Sequence, residues 1–363
     1  MTLGVLALLG SGEIAPSMTK VHRQLLGRLS EVRAVSLDTP YGFQANVPQM
    51  TEKIAEYFAT SLNVPITTLH YLCFEDSTAV EREIFRQEVR AANYVFAGPG
   101  SPSYAAAQWE PISLDDDLRA TLREGGIVCF ASAAALTLGA LTVPVYEIYK
   151  VGSKTHWLPG LDVLSMTGIH GAIIPHFDNA EGGNYDTRYC YLGEDRLVEL
   201  ERQLPEDVGV LGIDEHTAAI IDLEARTLSV LGKGNVHWRQ DGTTRVLENG
   251  STTALDMIQS LQPVDLVKVS TTPMERTEIA SLAQLACQGG EAAVDAIARL
   301  ARMATTGGTD HIDPSPLVES LLALRVEART NRDYALADRL RDILVDSGIE
   351  VKDGAEGSTW SVK

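Results

Sequence analysis

Short apolar runs alternate with longer amphipathic stretches through the first two-thirds of the chain, and this alternation constrains the fold most. Runs typical of buried strands lie at 3–9, 31–37, 66–72, 94–97 and 127–130, and stretches with helical spacing lie between them, at 17–29, 50–62, 78–92 and 114–124. The pattern predicts a three-layer α/β fold, with a mostly parallel, doubly wound sheet between helices. Ligands of such sheets bind beyond the carboxyl ends of the strands.

The last third of the chain changes in character. Later strands are predicted at 169–175, 208–213, 218–222 and 228–231, the last two as a hairpin that would form an antiparallel edge. After Pro263 the strand pattern stops, and helices are predicted at 317–330 and 334–346, with Gly348 ending the second. We therefore predict an α/β domain at 1–262, a helical connector and linker at 263–312, and a helical hairpin at 313–363.

A strand that runs directly into small residues marks a candidate nucleophile. The apolar run 127–130 is followed at once by Ala131, Ser132 and Ala133, before a helical stretch. A serine on such a strand-to-helix elbow is exposed, and small neighbours leave room for the turn. It needs a base to take its proton and amide donors for the oxyanion. The alternative is a serine that only caps a helix.

Three segments, in this order, resemble the cyanophycinase and dipeptidase E family of serine peptidases, which has the class I glutamine amidotransferase-like fold. Ser132 stands in the elbow, His176 in the segment Ile-Pro-His-Phe-Asp-Asn, and Glu215 in Gly-Ile-Asp-Glu-His-Thr-Ala past a later strand. The likeness covers roughly residues 1–240. It implies a triad in which His176 is the base and Glu215 orients the imidazole. From the residues alone, His170 is a rival base, and Asp214 and His216 are rivals of Glu215.

The same resemblance extends to the oxyanion hole. It implies that the amides of Gly100 and Ala133 donate to the oxyanion. Gly100 is chosen over Pro99, because proline has no amide hydrogen. The alternative for the loop 98–103 is an ordinary turn. The family has glycines where Ala131 and Ala134 stand here. Since a Cβ costs energy where φ is positive, we expect a less extreme elbow than in the family.

A polar flank follows His176 and predicts substrate contacts. Asp178, Asn179 and Arg188 are the candidates. Relatives favour acidic or isoaspartyl-type linkages, and the planar fork of Arg188 matches a substrate carboxylate. The alternative is a surface ion pair of Arg188 with Asp186 or Glu194.

Other motifs favour different classes of protein. Residues 10–15 match the dinucleotide fingerprint Gly-x-Gly-x-x-Gly/Ala, so a nucleotide-dependent enzyme is an alternative, although Glu13 and Pro16 disfavour a phosphate there. A cysteine hydrolase is disfavoured because Cys129 lies three residues before the elbow position. No close His-x-x-x-His or Glu-x-x-His spacing is present. We expect neither a metal nor a cofactor.

Residues 316–360 resemble the C-terminal segment of cysteinyl-tRNA synthetases. The likeness lies in 325–329, 333–341, 348–353 and 357–360, whereas the synthetase signatures His-Ile-Gly-His and Lys-Met-Ser-Lys-Ser are missing from the sequence. We therefore expect no charging of tRNA. From 313 to 363 there are seven Lys/Arg and ten Asp/Glu, a net charge of −3, which disfavours RNA binding. A helical hairpin that packs on the α/β domain or mediates self-association is the favoured interpretation.

The net charge and the spacing of the cysteines limit which partners and which compartment we expect. The formal net charge is −19, so a polyanion is a poor partner, and the longest apolar runs are too short to span a membrane. The four cysteines are widely scattered, which favours the cytoplasm. The sequence thus predicts a serine hydrolase of a small peptide or amide. The alternative is a catalytically retired hydrolase fold that serves as a binding or scaffold protein with a docking tail; homo-oligomers are left open.

Overall fold

The computed structural model describes residues 3–259, the single residues Leu322 and Arg341, and the segments 349–354 and 357–362. The chain divides into two compact units, Met1–Leu261 and Gln262–Lys363. Among the described residues, no helix is long and apolar enough to cross a membrane.

Strands and helices alternate in the first unit. The strands are β1 (Val5–Leu9), β2 (Ala34–Leu37), β3 (Ile66–Leu69), β4 (Tyr94–Ala97), β5 (Ile127–Ala131), β6 (Leu141–Thr142), β7 (Leu158–Pro159), β8 (Gly171–Ile174), β9 (Gly209–Ile213), β10 (Thr217–Asp222), β11 (Thr227–Gly232), β12 (Val236–Gln240), β13 (Thr243–Leu247) and β14 (Thr252–Ala254). The helices are α1 (Thr19–Leu26), α2 (Val47–Tyr57), α3 (Ala79–Ala91), α4 (Pro102–Trp109), α5 (Leu114–Arg123), α6 (Ala133–Thr137), α7 (Gly193–Glu201) and α8 (Asp256–Gln259). Short turns of helix at Glu147–Val151 and Val163–Thr167 lie between β6 and β8.

The main sheet has eight strands in the order β14-β11-β10-β1-β5-β4-β2-β3. The five strands from β1 to β3 in this order are parallel. The other three continue the sheet antiparallel, and β10 and β11 form the predicted hairpin. The predicted α/β class with a mostly parallel sheet is therefore confirmed.

Side chains at alternate positions along the strands of the main sheet belong to two different hydrophobic clusters. On β1, Leu6 and Leu8 join one cluster, with Phe85 of α3 and Leu118 of α5. Val5, Ala7 and Leu9 join the other, which contains side chains of α1 and α2. Because successive residues of a strand point to opposite faces, this division places helices on both sides of the sheet. The three predicted layers are present.

A second, four-stranded sheet in the order β13-β12-β9-β8 was not separated from the first by the sequence pattern. Its strands β8 and β9 are parallel, and β12 and β13 run antiparallel beside them. One face contributes Ile173 and Leu211 to the cluster that holds Leu6 and Leu8. The sequence analysis did not predict β12 or β13. Val236 and Trp238 of β12 are buried at alternate positions, whereas most residues of β13 are exposed.

In the second unit, strands β15 (Ile349–Gly354) and β16 (Gly357–Val362) form an antiparallel hairpin. The sequence pattern did not predict these strands within the region expected to be helical. The helices predicted at 317–330 and 334–346 lie outside the described residues except for Leu322 and Arg341, which are both helical. The connector predicted at 263–312 lies wholly outside them.

Candidate active site

The candidate site lies where carboxyl ends of strands from both sheets meet. Ser132 follows β5 in the main sheet, while His176 follows β8 and Glu215 follows β9 in the second sheet. The end of β1 contacts both groups: the His176 amide donates to Gly10 O over 3.3 Å, and the Ser132 amide of the neighbouring main-sheet strand donates to Leu9 O over 3.0 Å. The loop after β1 therefore lies between Ser132 and His176.

The elbow places Ser132 in a strained backbone conformation, with φ of 50° and ψ of −123°. The elbow takes this conformation with Ala131 and Ala134 beside it, where the resembled family has glycines. Ser132 itself carries the positive φ, and neither flanking alanine does. Their Cβ atoms therefore cost no left-handed strain, and both side chains pack fully buried.

Three predicted side chains form one hydrogen-bonded chain. Ser132 Oγ lies 2.9 Å from His176 Nε2, and His176 Nδ1 lies 2.9 Å from Glu215 Oε1. A carboxylate only accepts, so Nδ1 carries the proton and donates to Glu215. In the neutral imidazole, Nε2 is then free to accept from the Ser132 hydroxyl. The arrangement can move a proton away from the hydroxyl.

The rival side chains lie elsewhere. His170 is exposed and directly precedes β8, so it lies at the opposite end of this strand from His176. Asp214 Oδ1 accepts from His237 Nε2 over 2.9 Å. His216 Nδ1 lies 3.0 Å from Ser17 Oγ. Among the three neighbouring candidates, only Glu215 contacts the His176 ring.

Two residues predicted to bind substrate instead hold Glu215. Asn179, which is 1% exposed, donates from Nδ2 to Glu215 Oε1 over 3.1 Å. Asp178 Oδ1 accepts from the Glu215 amide over 2.7 Å. The hydrogen bond from His176 lowers the pKa of Glu215 below its ordinary value, and the Asn179 bond acts in the same direction. The carboxylate is thus kept ionised and fixed in place.

The predicted oxyanion donors lie on the loop after β4 and at the first residue of α6. The Ala134 amide donates to Gly98 O over 3.2 Å, which ties the loop after β4 to the start of α6. Gly100 has φ of 148°, and a Cβ there would lie 1.9 Å from Pro40 O, so only glycine fits. Within residues 3–259, neither the Gly100 amide nor the Ala133 amide donates to another residue. Both remain available to an oxyanion.

The motif at 10–15 packs against the turn that carries Glu215. A Cβ at Gly10 would lie 2.0 Å from Asp214 O, and one at Gly12 would lie 2.2 Å from His216 Nδ1. The Gly10 amide donates to Thr217 O over 2.8 Å. This close packing accounts for both glycines without a bound pyrophosphate, and it removes the main support for a nucleotide-dependent enzyme.

Glu13 is a feature of the site that the sequence reasoning missed. Its side chain lies beside Gly98, and burial raises its pKa above the ordinary value, while the nearby His176 and His216 act in the opposite direction. The only sequence signal was an acidic residue in a glycine-rich loop that follows a strand.

Cys129 lies in the interior of the main sheet, where burial raises its pKa to about 12, so it is not a nucleophile near neutral pH.

Arg188 forms the surface ion pairs that were the alternative to substrate binding. Its Nε lies 2.9 Å from Asp186 Oδ1, its Nη2 lies 2.8 Å from Asp186 Oδ2, and Glu194 Oε2 is 3.4 Å away. The guanidinium is therefore already engaged by two carboxylates. The hydrogen bonds from Arg188 hold the pKa of Asp186 well below its usual range.

Two stacked tyrosine rings, which the sequence analysis did not assign to the site, lie beside the His176 imidazole. The Tyr191 ring lies 6.4 Å from that of His176 and 5.2 Å from that of Tyr149, on which it stacks. Tyr189, Cys190 and Tyr191 all have positive φ, an uncommon run for residues with side chains. The run turns the chain so that Tyr191 faces the site, and no local sequence pattern indicates it.

Comparison with known proteins finds a structural neighbour over most of the chain and sequence relatives over a short region. No protein-family model matches. The crystal structure of a peptidase from an acI-B1 Actinobacterium is similar, with a TM-score of 0.56 and 21% identity, over 70% of this chain and 97% of that one. At this identity the likeness shows a shared fold.

Curated relatives match over a short region only. A cysteine–tRNA ligase from Kocuria rhizophila is 55% identical over 60 residues, which are 16% of this chain and 12% of the ligase. The ligase from Chlorobaculum tepidum is 56% identical over 43 residues, 12% of this chain and 9% of the ligase. The match thus spans about an eighth or less of these relatives.

Proposed function

We propose that this protein is a serine-type hydrolase that cleaves a small peptide or amide. The observation that carries the proposal is the continuous hydrogen-bonded chain from Ser132 through His176 to Glu215, with its serine on a strained elbow. A structural serine that only capped α6 would need neither a base nor an orienting carboxylate. The peptidase of the same fold adds support.

In the proposed reaction, His176 Nε2 takes the proton from Ser132 Oγ as the oxygen bonds to the substrate carbonyl carbon. The amides of Gly100 and Ala133 would stabilise the oxyanion, and Glu215 stabilises the imidazolium. The imidazolium then protonates the leaving nitrogen, the C–N bond breaks, and an acyl-enzyme remains. Water, deprotonated by His176, attacks the ester, and the acid product leaves as the proton returns to Ser132.

Arg188 is a weaker candidate for binding a substrate carboxylate, because Asp186 and Glu194 already surround its guanidinium. Asp178 and Asn179 are better described as positioning residues, since they act through Glu215. Other residues around the site would therefore select the substrate.

A fluorophosphonate probe tests the nucleophile, because it phosphonylates only activated serines. We expect wild type to be labelled and Ser132→Ala to fall to background, while Ser30→Ala, a change at an exposed serine, labels like wild type. His176→Ala should slow labelling by a factor on the order of 10³ or more. Equal labelling of wild type and Ser132→Ala, or no labelling of the folded wild type, would refute the hydrolase and favour a retired site.

A further inference from the structure

Asp38 is a buried carboxyl at the carboxyl ends of the main-sheet strands, and the proposed mechanism does not use it. It directly follows β2, the strand between β4 and β3, and its side chain is inaccessible to solvent. Burial raises the pKa of Asp38, while the hydrogen bond with His70 acts in the opposite direction. A buried carboxyl is costly for a fold unless hydrogen bonds compensate it, so its partners matter.

The Asp38 carboxyl bonds to the loop after β3. Its Oδ1 accepts from the Tyr71 amide over 3.1 Å, and its Oδ2 lies 2.6 Å from His70 Nδ1. One proton lies between these two atoms, whichever group carries it. The next residue, Thr39, donates from Oγ1 to Tyr71 O over 2.6 Å. These hydrogen bonds fix the start of the turn after β2 against the loop after β3.

The turn that Asp38 starts also contacts the predicted oxyanion loop. It is a short helical turn, Thr39–Tyr41. At its centre, Pro40 O accepts from the Ser101 amide over 2.8 Å. A Cβ on Gly100 would lie 1.9 Å from the same oxygen. The backbone of Gly100 therefore packs directly against this turn.

The order of the strands explains why these contacts bear on the site. The strands β5, β4, β2 and β3 are parallel neighbours, so their carboxyl ends lie along one edge of the sheet. Along that edge follow the elbow, the loop of Gly100, the turn of Asp38 and the loop of His70. A shift of the Asp38 turn would move the Gly100 amide, whereas the triad hydrogen bonds are made by other loops.

We propose that Asp38 is a positioning residue for the oxyanion hole: it fixes the turn Thr39–Tyr41 against the loop after β3, and this turn places the Gly100 amide. The inference rests on the proposed hydrolase function and adds a residue that acts through Gly100 and not on the substrate. Donors stabilise an oxyanion only at hydrogen-bonding distance, so a displacement of about 1 Å is costly for the rate. Asp38 then affects steps in which an oxyanion forms and leaves other reactions of the site unchanged.

Phosphonylation by a fluorophosphonate is a step of the first kind, because negative charge develops on the phosphoryl oxygen as the serine attacks. We expect Asp38→Ala to slow labelling of Ser132 about ten- to hundred-fold at saturating probe, with half-saturation within about two-fold of wild type. Asp38→Asn keeps an acceptor for the Tyr71 amide and a polar group for His70, so it should stay within about three-fold. His70→Ala removes only the exposed partner, serves if Asp38→Ala does not fold, and should slow labelling about five-fold.

Asp117→Ala is the matched control, because it also removes a buried carboxyl. Asp117, on α5, bonds to Arg86 and Arg90 of α3 and contacts none of the loops of the site. It should label like wild type. Equal slowing in this variant and in Asp38→Ala would show a general loss of stability and overturn the proposal. Wild-type labelling rates in both Asp38→Ala and His70→Ala would also overturn it.

Alkylation by iodoacetamide is a reaction of the same site without an oxyanion. In the Ser132→Cys background, sulfur bonds to the methylene carbon as iodide leaves, and the thiol proton passes to His176. Since the chain has four cysteines of its own, the reaction is followed by mass spectrometry of the peptide that contains position 132. Adding Asp38→Ala should change this rate by less than about three-fold. If alkylation and phosphonylation slow equally, Asp38 supports the triad and not the oxyanion loop, and the proposal fails.

Amide hydrogen exchange, measured by NMR on the full chain, tests the placement without any reaction. Asp38→Ala should speed exchange of the Ser101 amide, which donates to Pro40 O, about ten-fold, and leave the Ser132 amide, which donates to Leu9 O, unchanged. Unchanged exchange at Ser101 would overturn the proposal, while labelling of wild type would still support the hydrolase. Faster exchange at Ser101 with no labelling of folded wild type would refute the hydrolase and still support Asp38 as the residue that places the loop.

Discussion

Ser132 has a strained backbone conformation, and His176 and Tyr191 beside it also have positive φ. A non-glycine residue in this sparsely populated region costs on the order of 1–3 kcal/mol and persists only where the surroundings hold it. Here the hydrogen bond from its amide to Leu9 O and the buried contacts of Ala131 and Ala134 hold it. This conformation turns Oγ out of the strand toward His176 Nε2, which lies 2.9 Å away.

Glu215 offers a test of the orienting carboxylate. Glu215→Gln removes the charge but keeps the size, and its amide group can present an N–H to the imidazole, which favours the wrong tautomer. We expect fluorophosphonate labelling to slow by a factor on the order of 10³ to 10⁴. Glu181→Gln, at an exposed carboxylate that accepts from the Tyr191 hydroxyl, is the control and should label within about three-fold of wild type. Comparable labelling of Glu215→Gln and wild type would show that the carboxylate has no such role.

The same residue predicts a dependence of stability on pH. Because the folded-state pKa of Glu215 is lowered, its ionised form stabilises the fold above the ordinary value of about 4.3, and this contribution is lost as the pH falls through the folded value. The difference in unfolding free energy between wild type and Glu215→Gln should therefore shrink as the pH falls below about 5. Denaturant unfolding of both proteins from about pH 5 to about pH 3 measures it; a difference that grew over this range would contradict the assigned shift.

Among the elements, the loop after β1 connects the two sheets by close backbone packing. Gly10 and Gly12 let it approach the 214–216 turn, while His176 N donates to Gly10 O. The loop after β4 makes a similar approach, through Gly100, to Pro40. The side chains of the proposed triad are therefore supported by loops whose glycines allow close backbone packing.

Gly12→Ala tests this support. Gly12 has φ of 64°, and a Cβ would lie 2.2 Å from His216 Nδ1, so the neighbour of Glu215 must move. We expect a loss of about 2–4 kcal/mol in unfolding free energy and slower fluorophosphonate labelling. Gly242→Ala, with φ of 71° and open space around the new Cβ, shares the backbone strain without the clash. It should lose about 1 kcal/mol and label normally. An equal effect of both substitutions would mean that the packing against His216 is unimportant.

For the whole molecule, the contacts that define the candidate site lie within Met1–Leu261. A chain ended after Leu261 should therefore fold and label with fluorophosphonate within about three-fold of the full chain, because no triad hydrogen bond is removed. Labelling rates of the two proteins at equal concentration check this. If the shortened chain folds, as judged by circular dichroism, but fails to label, the second unit is required for activity.

Much of the architecture follows from the sequence alone. The period of apolar residues is a local property, and it was sufficient to predict parallel strands, helices on both faces and the hairpin formed by β10 and β11. The order of the elbow serine, the histidine and the carboxylate was predicted from the resemblance to a peptidase family, which alone selected Glu215 over its neighbours. The triad as a working catalytic group stays a prediction, although its members are within hydrogen-bonding distance.

Only the tertiary structure decided which neighbours meet. Asp214, Glu215 and His216 are indistinguishable as local sequence, and the turn after β9 points only Glu215 at His176. Local pattern likewise could not show that the strands divide into two sheets or that Arg188 is engaged by Asp186. Such outcomes depend on the distances between groups far apart along the chain, and these exist only once the sheets have packed.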